Sequence, residues 1–254
     1  MLIFSSPAIV LRRMDFGDFD LILTLFTKSD GKITVIAKSA KKSTRRFSGI
    51  LEPFSTIDAI CRRSKRKGMS VLQEASLVKA HPAIRTDFRK TAYAGYWAEI
   101  VIEWSEDGHE QPSLFELLDH VLEGLDQGWM PDEVLSLLFQ IRFLRFAGMH
   151  PNLTHCRVCG AELEGMPGLL APFDLAKGSL VCEKCKSPLS RPFFLSKRLL
   201  KQLQWTSEAD LDAVGRIKWT PDTEREASHF LESFIPHHLG KSFRSLKVLR
   251  QLRQ

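Results

Sequence analysis

The sequence predicts an α+β protein of more than one domain: a small N-terminal β-barrel, then an α-helical domain with an inserted four-cysteine metal element. Three observations lead there. Short β-branched runs fill the first eighty residues, the hydrophobic period turns helical after His81-Pro82, and two Cys-x2-Cys pairs lie 22 residues apart late in the chain. At 254 residues there is room for two such domains, and 44% hydrophobic with 26% charged residues is ordinary globular composition. No run reaches the roughly 18 apolar residues of a membrane span, and Met1 to Val10 has no basic start of a signal peptide. A cytoplasmic protein with no membrane partner is expected.

The barrel is expected over residues 1–80. Its strands are read at Ala8-Ile9-Val10-Leu11, Leu21 to Phe26, Lys32 to Ala37, Ser55 to Ile60 and Met69 to Leu72, with turn residues between them. Asp30-Gly31 predicts a two-residue hairpin, because glycine accepts the positive φ such a turn requires. About five strands in eighty residues suit a closed barrel, which leaves no sheet edge exposed, and an OB-fold is the natural form.

The helical domain is expected over 81–254. One helix is predicted from Ile84 to Trp104 with an apolar stripe of Tyr93, Trp97, Ile100 and Trp104. A second runs from Pro112 to about Asp126, and a third opens at Pro131 and stops before Gly148. Later helices are read from Ser196 to about Trp205, from Pro221 to Ile235 with Thr220 as N-cap, and from about Ser242 onward. In the last of these, basic Lys241, Arg244, Lys247, Arg250 and Arg253 alternate with Phe243, Leu246, Leu249 and Leu252. A helix packing its leucines on the domain explains that pattern better than a second nucleic-acid contact.

Cys156-x2-Cys159 and Cys182-x2-Cys185 form two knuckles, each turning two sulfurs toward one centre, within an element at about 152–190. Cys156, Cys159, Cys182 and Cys185 are therefore expected to hold one structural Zn²⁺. Four thiolates leave no open position for metal catalysis. Leu169 to Val181, turning at Lys177-Gly178, reads as a hairpin between the knuckles. The stretch 160–181 is short in core-forming residues, so metal binding is expected to couple to local folding. Free buried thiols are the alternative, and a redox pair would leave the second Cys-x2-Cys unexplained. His150 and His155 lie nearby, but a complete tetrad leaves them no role.

Charge divides the chain unevenly. Residues 1–80 hold 15 Lys and Arg against 7 Asp and Glu, a net of +8, whereas the remainder nets −2. A concentrated positive field draws polyanions, and nucleic acid is the first to consider. Two runs carry most of it, Lys38 to Arg46 and Arg62 to Lys67. From these, Lys38, Lys41, Lys42, Arg45, Arg46, Arg63, Lys65 and Arg66 are expected to contact phosphates, the two loops converging on one barrel face. Phe47, beside Arg46, is the expected stacking ring, while Phe4, Phe26 and Phe54 read as core. Few base-reading cues are present, so binding should be salt-sensitive and tolerant of sequence.

No phosphate-binding GxxxxGK[ST] or dinucleotide GxGxxG is present. Asp15, Asp18 and Asp20 resemble a two-metal nuclease cluster, but their place between two strands reads as a solvated turn. Tyr93 and Tyr96 read as core, which counts against a tyrosine nucleophile, and Cys61 reads as a buried strand residue. No enzyme is expected.

Gly17 to Thr27 with Asp30-Gly31-Lys32 and the Ala37-Lys38-Ser39-Ala40-Lys41 turn resembles the N-terminal barrel of the RecO family. Gly49 to Phe54 and the C-terminal His238 to Ser245 are similar to the same family, so the resemblance covers the whole chain. Ser39 stands where a glycine is usual in that family. The resemblance implies a bacterial, nonenzymatic recombination mediator for DNA repair, nucleoid-associated during repair. It implies binding of single- and double-stranded DNA, annealing of complementary strands, and contact with RecR and single-strand-binding protein to help load RecA. The alternative is a metal-stabilised protein-interaction adaptor whose basic face is incidental.

Overall fold

A computed structural model describes residues 3–44, 46–64, 69–186, 192–215 and 217–253. They pack as two units, Met1–Gly128 with Phe243–Gln254, and Trp129–Ser242.

In the first unit five strands close a barrel: β1 (Ile3–Phe16), β2 (Asp20–Thr27), β3 (Gly31–Ala37), β4 (Thr56–Arg62) and β5 (Ser70–Lys79), in the order β1-β2-β3-β5-β4. This is the OB-type closure the sequence predicts. Strand β1 makes it possible. Its 14 residues pair with β4 from Ile3↔Arg62 to Ile9↔Thr56, then with β2 from Ala8↔Thr27 to Phe16↔Asp20. The register shifts between Val10 and Arg12, the kind of irregularity that lets one strand bend from one partner to the next. Side chains alternate, so Leu21, Leu23, Leu25, Val35, Ala37, Ile57, Ala59, Cys61 and Leu72 fill the interior. Burial, with Asp30 adding to it, pushes the Cys61 thiol up to about 11 and keeps it neutral.

The chain between β3 and β4 adds Ala40, Phe47 and Leu51 to the same core. Phe47 is only 4% exposed, so it is an interior ring and not the stacking ring expected from its place beside Arg46. The β2–β3 connection also differs from expectation. Thr27 pairs with Gly31, which leaves a three-residue turn, and Gly31 takes φ +61° at its exit. A Cβ there would lie 1.8 Å from the His109 carbonyl oxygen, so glycine is required for space as well as for φ.

Helix formation begins at Pro82, as the change of period implies. The single helix expected from Ile84 to Trp104 is two, α1 (Pro82–Thr86) and α2 (Phe88–Trp104). Asp87 breaks them: its backbone is extended and its carboxylate accepts the N–H groups of Arg89 and Lys90, an N-cap. Helix α3 (Pro112–Gln127) follows, and its Asp126 accepts the N–H groups of Ala83 and Ile84 at the start of α1. The last helix, α8 (Arg244–Leu252), belongs to this unit and buries Leu246 and Leu249, with contacts to α2. Phe243 sets its angle edge-on against Tyr96, ring centroids 5.9 Å apart. Its first N–H groups, at Arg244 and Ser245, are taken by the Glu99 carboxylate of α2 at 3.1 and 2.8 Å, and the Ser245 hydroxyl bonds the same group.

The second unit contains α4 (Asp132–Phe146), a three-stranded sheet β6 (Leu170–Asp174), β7 (Ser179–Leu180) and β8 (Phe193–Ser196) in the order β7-β6-β8, then α5 (Lys197–Glu208), α6 (Leu211–Val214) and α7 (Pro221–Leu239). The β6–β7 pair is the hairpin expected between the knuckles; β8, unread in the sequence, lines the other edge of β6. Phe173 of β6 packs edge-on against Phe230 and Phe234 of α7, at 5.0 and 6.1 Å. Helix α7 opens with the Thr220 cap and continues through Pro236 to Gly240, whose φ of +62° ends it.

Among the described residues no helix is long and apolar enough to cross a membrane. Glu99 supplies the cap that α8 lacks in its own sequence. Replacing it by Ala should lower stability by about 1–2 kcal/mol, since charged groups capping helix N-termini contribute on that scale. Urea unfolding of wild type and Glu99→Ala would check this, and an unchanged midpoint would contradict it.

Candidate nucleic-acid interface and metal centre

The first basic run follows β3 and is built as a short, anchored loop. Ser39 adopts φ +55°, ψ +27°, the left-handed conformation that glycine takes most easily, and a single helical turn covers Ala40–Lys42. Two hydrogen bonds tie this turn to the β1–β2 connection: Ser39 N–H to Asp20 Oδ1 at 2.7 Å, and Lys41 N–H to the Phe19 carbonyl at 3.0 Å. Asp20 therefore positions the loop. Asp15 pairs with Lys41 Nζ at 2.8 Å. Two members of the acidic trio are thus spent on the basic loop, in keeping with a solvated turn.

The cations there differ in what they touch. Lys38 is exposed, Lys42 Nζ lies 3.3 Å from the Phe19 ring centroid, and the Arg46 guanidinium covers Phe47 at 5.0 Å while donating to the Lys38 carbonyl at 3.4 Å. Among the described residues no carboxylate pairs with Lys38, Lys42 or Arg46. In the second run, Arg63 sits elsewhere. Arg63 is ion-paired with Asp30 in the β2–β3 turn, and its guanidinium covers Phe4 at 4.9 Å. Lys38, Lys41, Lys42 and Arg46 thus cluster at the β1–β2 end of the β2–β3 hairpin, while Arg63 stands at its other end. Arg63 thus stands apart from the first run, at the opposite end of the β2–β3 hairpin from the cations that the sequence predicts it to join. Arg45, Lys65 and Arg66 lie outside the described residues.

What the sequence reading missed is aromatic. Phe16 and Phe19, on either side of the Gly17-Asp18 turn, are 48% and 42% exposed, and Met14 is 44% exposed. The turn chemistry of Gly17-Asp18 was the available signal, because side chains at the tip of a hairpin project past the core.

In the second unit the four cysteine sulfurs converge, all lying within 4.8 Å of one another. Each knuckle is a backbone turn: Gly160 N–H bonds the Cys156 carbonyl at 2.9 Å, and the N–H groups of Cys185 and Lys186 bond the Cys182 carbonyl at 2.9 and 3.0 Å. The knuckles are joined where Arg157 N–H meets the Leu180 carbonyl at 3.0 Å and Cys182 N–H meets Cys156 Sγ at 3.4 Å. Cys159 and Cys182 sulfurs are 3.7 Å apart. A disulfide would need about 2.05 Å. Tetrahedral coordination with metal–sulfur bonds of about 2.3 Å needs edges of about 3.8 Å, so this donor set fits a four-thiolate metal site.

Burial disfavours the Cys156 thiolate, but backbone N–H groups of Cys159, Cys182 and Val158 facing the sulfur outweigh it and hold its pKa down to about 6. Hydrogen bonds with the sulfurs of Cys182 and Cys159 push Cys185 up to about 12. Four thiols this close ionise together only around a cation. His155 is exposed and its Nδ1 is bonded to Thr154 Oγ1 at 2.9 Å, which leaves the four sulfurs as the clustered donors.

The fold and its sites define an OB-type barrel with a basic loop, joined to a helical unit bearing a four-thiol cluster. The family described as recombination protein O matches along the chain, its N-terminal part over residues 1–81 and its C-terminal part over 85–247. Proteins named DNA repair protein RecO are similar over nearly their full length: 42% identity in Desulfosudis oleivorans, covering 98% of each chain, and 40% in Desulfatibacillum aliphaticivorans, covering 98% of this chain and 97% of that one. The relative from Syntrophus aciditrophicus is 33% identical over 98% of this chain and 96% of its own. The chain belongs to the RecO family of DNA repair and recombination proteins.

The thiol geometry sets an expectation. Cys182→Ser should abolish stoichiometric metal, read by atomic absorption on the purified chain, whereas Cys61→Ala should keep it, because Cys61 lies in the barrel core. Full metal content in Cys182→Ser would contradict the four-sulfur site.

Proposed function

We propose that the chain is a nonenzymatic recombination mediator acting in the bacterial cytoplasm, at the nucleoid during repair. It binds single- and double-stranded DNA, anneals complementary strands and, with RecR, helps place RecA on strands coated by single-strand-binding protein. Family membership over nearly the whole chain carries this reading. The net +8 of residues 1–80 and the anchored basic loop support the DNA contact. In this reading the barrel, residues 1–80, is the DNA-binding domain, and residues 81–254 form a helical domain carrying the metal element at about 152–190. The work is binding, displacement and pairing, with no bond made or broken.

Lys38, Lys41, Lys42, Arg45, Arg46, Arg63, Lys65 and Arg66 are proposed as phosphate contacts, and Zn²⁺ as the ion held by Cys156, Cys159, Cys182 and Cys185. An all-thiolate tetrahedral set suits zinc, and with no open position the ion is structural. It would fasten the two knuckles and stabilise four thiolates at once.

The structure separates the proposed cations into two kinds, and that gives the test. Lys38, Lys42 and Arg46 have no carboxylate partner among the described residues, while Lys41 and Arg63 are already paired with Asp15 and Asp30. Each phosphate neutralised on a single strand contributes about 0.7 to the slope of log K against log salt. Changing Lys38, Lys42 and Arg46 together to Ala should flatten that slope by about 2, measured by fluorescence anisotropy across a salt series. Lys41→Ala or Arg63→Ala should each change it by less than about 0.7. Absence of DNA binding by the wild type would overturn the proposal. Slopes unmoved by the triple change would remove this loop as the contact.

A further inference from the structure

The exterior of the barrel carries a feature that parity alone reveals. Following the pairing across the sheet, Met14 stands beside Ile22, Ile22 beside Ile36, and Ile36 beside Val71. Paired residues point to the same side of a sheet, and their sequence neighbours Leu21, Leu23, Val35, Ala37 and Leu72 fill the interior. Met14, Ile22, Ile36 and Val71 therefore form an apolar row on the outer surface, four strands wide and about 14 Å long at ordinary strand spacing. All four are half-buried or exposed. Arg62 is the next residue along, paired with Val71.

At the β1 end of this row stand Phe16 and Phe19. Phe16 follows Met14 on the same face of β1, and Phe19 leads into β2. The Phe19 ring is held by Lys42 Nζ against one face, and its backbone is tied to the Lys38–Lys42 loop through Lys41 N–H. Exposed rings at one end of an apolar row, with cations beside them, match the needs of one class of ligand. Unpaired nucleotides present flat apolar faces and a phosphate every step, whereas duplex DNA hides the faces and shows only phosphates and groove edges.

We propose that the outer face of β1, β2, β3 and β5 is a stacking platform for the unpaired bases of single-stranded nucleic acid. Phe16 and Phe19 are its principal rings, the Met14-Ile22-Ile36-Val71 row continues it, and Lys38 and Lys42 hold the adjoining phosphates. This rests on the DNA-binding reading and refines it, assigning the discrimination between single and double strands to rings instead of charges. It also suits annealing. A base held by its face keeps its pairing edge free for a complementary strand, and the duplex that forms loses its grip on the rings.

The test compares wild type with Phe16→Ala/Phe19→Ala for binding of oligo(dT) and of a duplex of equal length by anisotropy across a salt series. Both rings are at the surface, so the fold should survive their loss. Single-strand affinity should fall about tenfold for each ring, the scale of base–aromatic stacking, with the salt slope and duplex affinity unchanged. In Phe19→Trp, binding should persist, and oligo(dT) but not duplex should quench the added indole, read above the signal of the five native tryptophans. Unchanged single-strand affinity in the double variant would overturn the platform. So would an equal loss on both DNAs, or an added indole that oligo(dT) leaves unquenched. A wild type that binds neither DNA would overturn the DNA reading itself.

Discussion

Closure of the barrel is the constraint on which the rest of the first unit depends. Every strand of a closed barrel pairs with two neighbours, and β1 meets its own along successive parts of its length, β4 from Ile3 to Ile9 and β2 from Ala8 to Phe16, with a register shift between Val10 and Arg12. Once that register is set, every second residue of every strand is committed to the interior or the exterior. The interior set accounts for stability. The exterior set places Met14, Ile22, Ile36 and Val71 in one line, and it puts Phe16 and Phe19 at the hairpin tip where a charged loop meets them. A slip of one residue in the β2–β3 pairing would exchange Leu21 and Leu23 for Ile22 and lose both the core and the outer row together.

Any polyanion that meets this unit must compete with carboxylates for its cations. Residues 1–80 carry 15 cations, yet some are engaged: Lys41 with Asp15, Arg63 with Asp30, Arg13 with Glu52, Lys79 with Asp119 and Glu123. Such half-exposed pairs contribute little to stability in water. Lys79 is the exception in being shared by two carboxylates, which raise its pKa despite the opposing effect of burial. Asp20 acts differently from its neighbours. It spends its charge on the backbone of Ser39 and so fixes a turn whose left-handed residue carries a side chain. The basic loop is thereby anchored, and in the proposed DNA contact it would lose less ordering entropy than a flexible basic tail.

Much of this was legible in the sequence because it depends on local chemistry. The five strands, the helical start at Pro82, the Thr220 cap, the hairpin between the knuckles and the convergence of four cysteines all follow from periodicity, capping residues and spacing. The family resemblance read from Gly17–Thr27 and His238–Ser245 holds over residues 1–81 and 85–247. What escaped depends on contacts far apart in the chain. Phe47 sits beside Arg46 in sequence but its ring is claimed by the barrel core. The break at Asp87 was hidden because residues 84–104 keep an apolar period across it. Glu99 is an ordinary helix residue until α8 arrives to need a cap, and Gly31 owes its identity as much to His109 as to its own φ. Strand β8 is only four residues long, too short for a period to show, and exists by pairing with β6.

The metal element shows how local and distant forces divide the work. Residues 160–181 are half apolar, which the expectation of a stretch short in core-forming residues overlooks, and Leu163, Met166, Ala171, Phe173 and Leu180 are all buried, with Phe173 among the rings of α7. The sheet at the base of the element is therefore held by packing within its unit, independent of any ion. The knuckles are less supported: Cys156 and Cys182 at their bases are buried, but their tips reach the surface. Val158 and Cys159 at the tip of the first are exposed, and single backbone turns define each loop. A metal held here would fasten the two turns to each other and supply the charge to keep four sulfurs ionised within 4.8 Å. An ion held there would be a clamp on an element whose base is already built, a smaller task than the wholesale folding that zinc performs in isolated fingers.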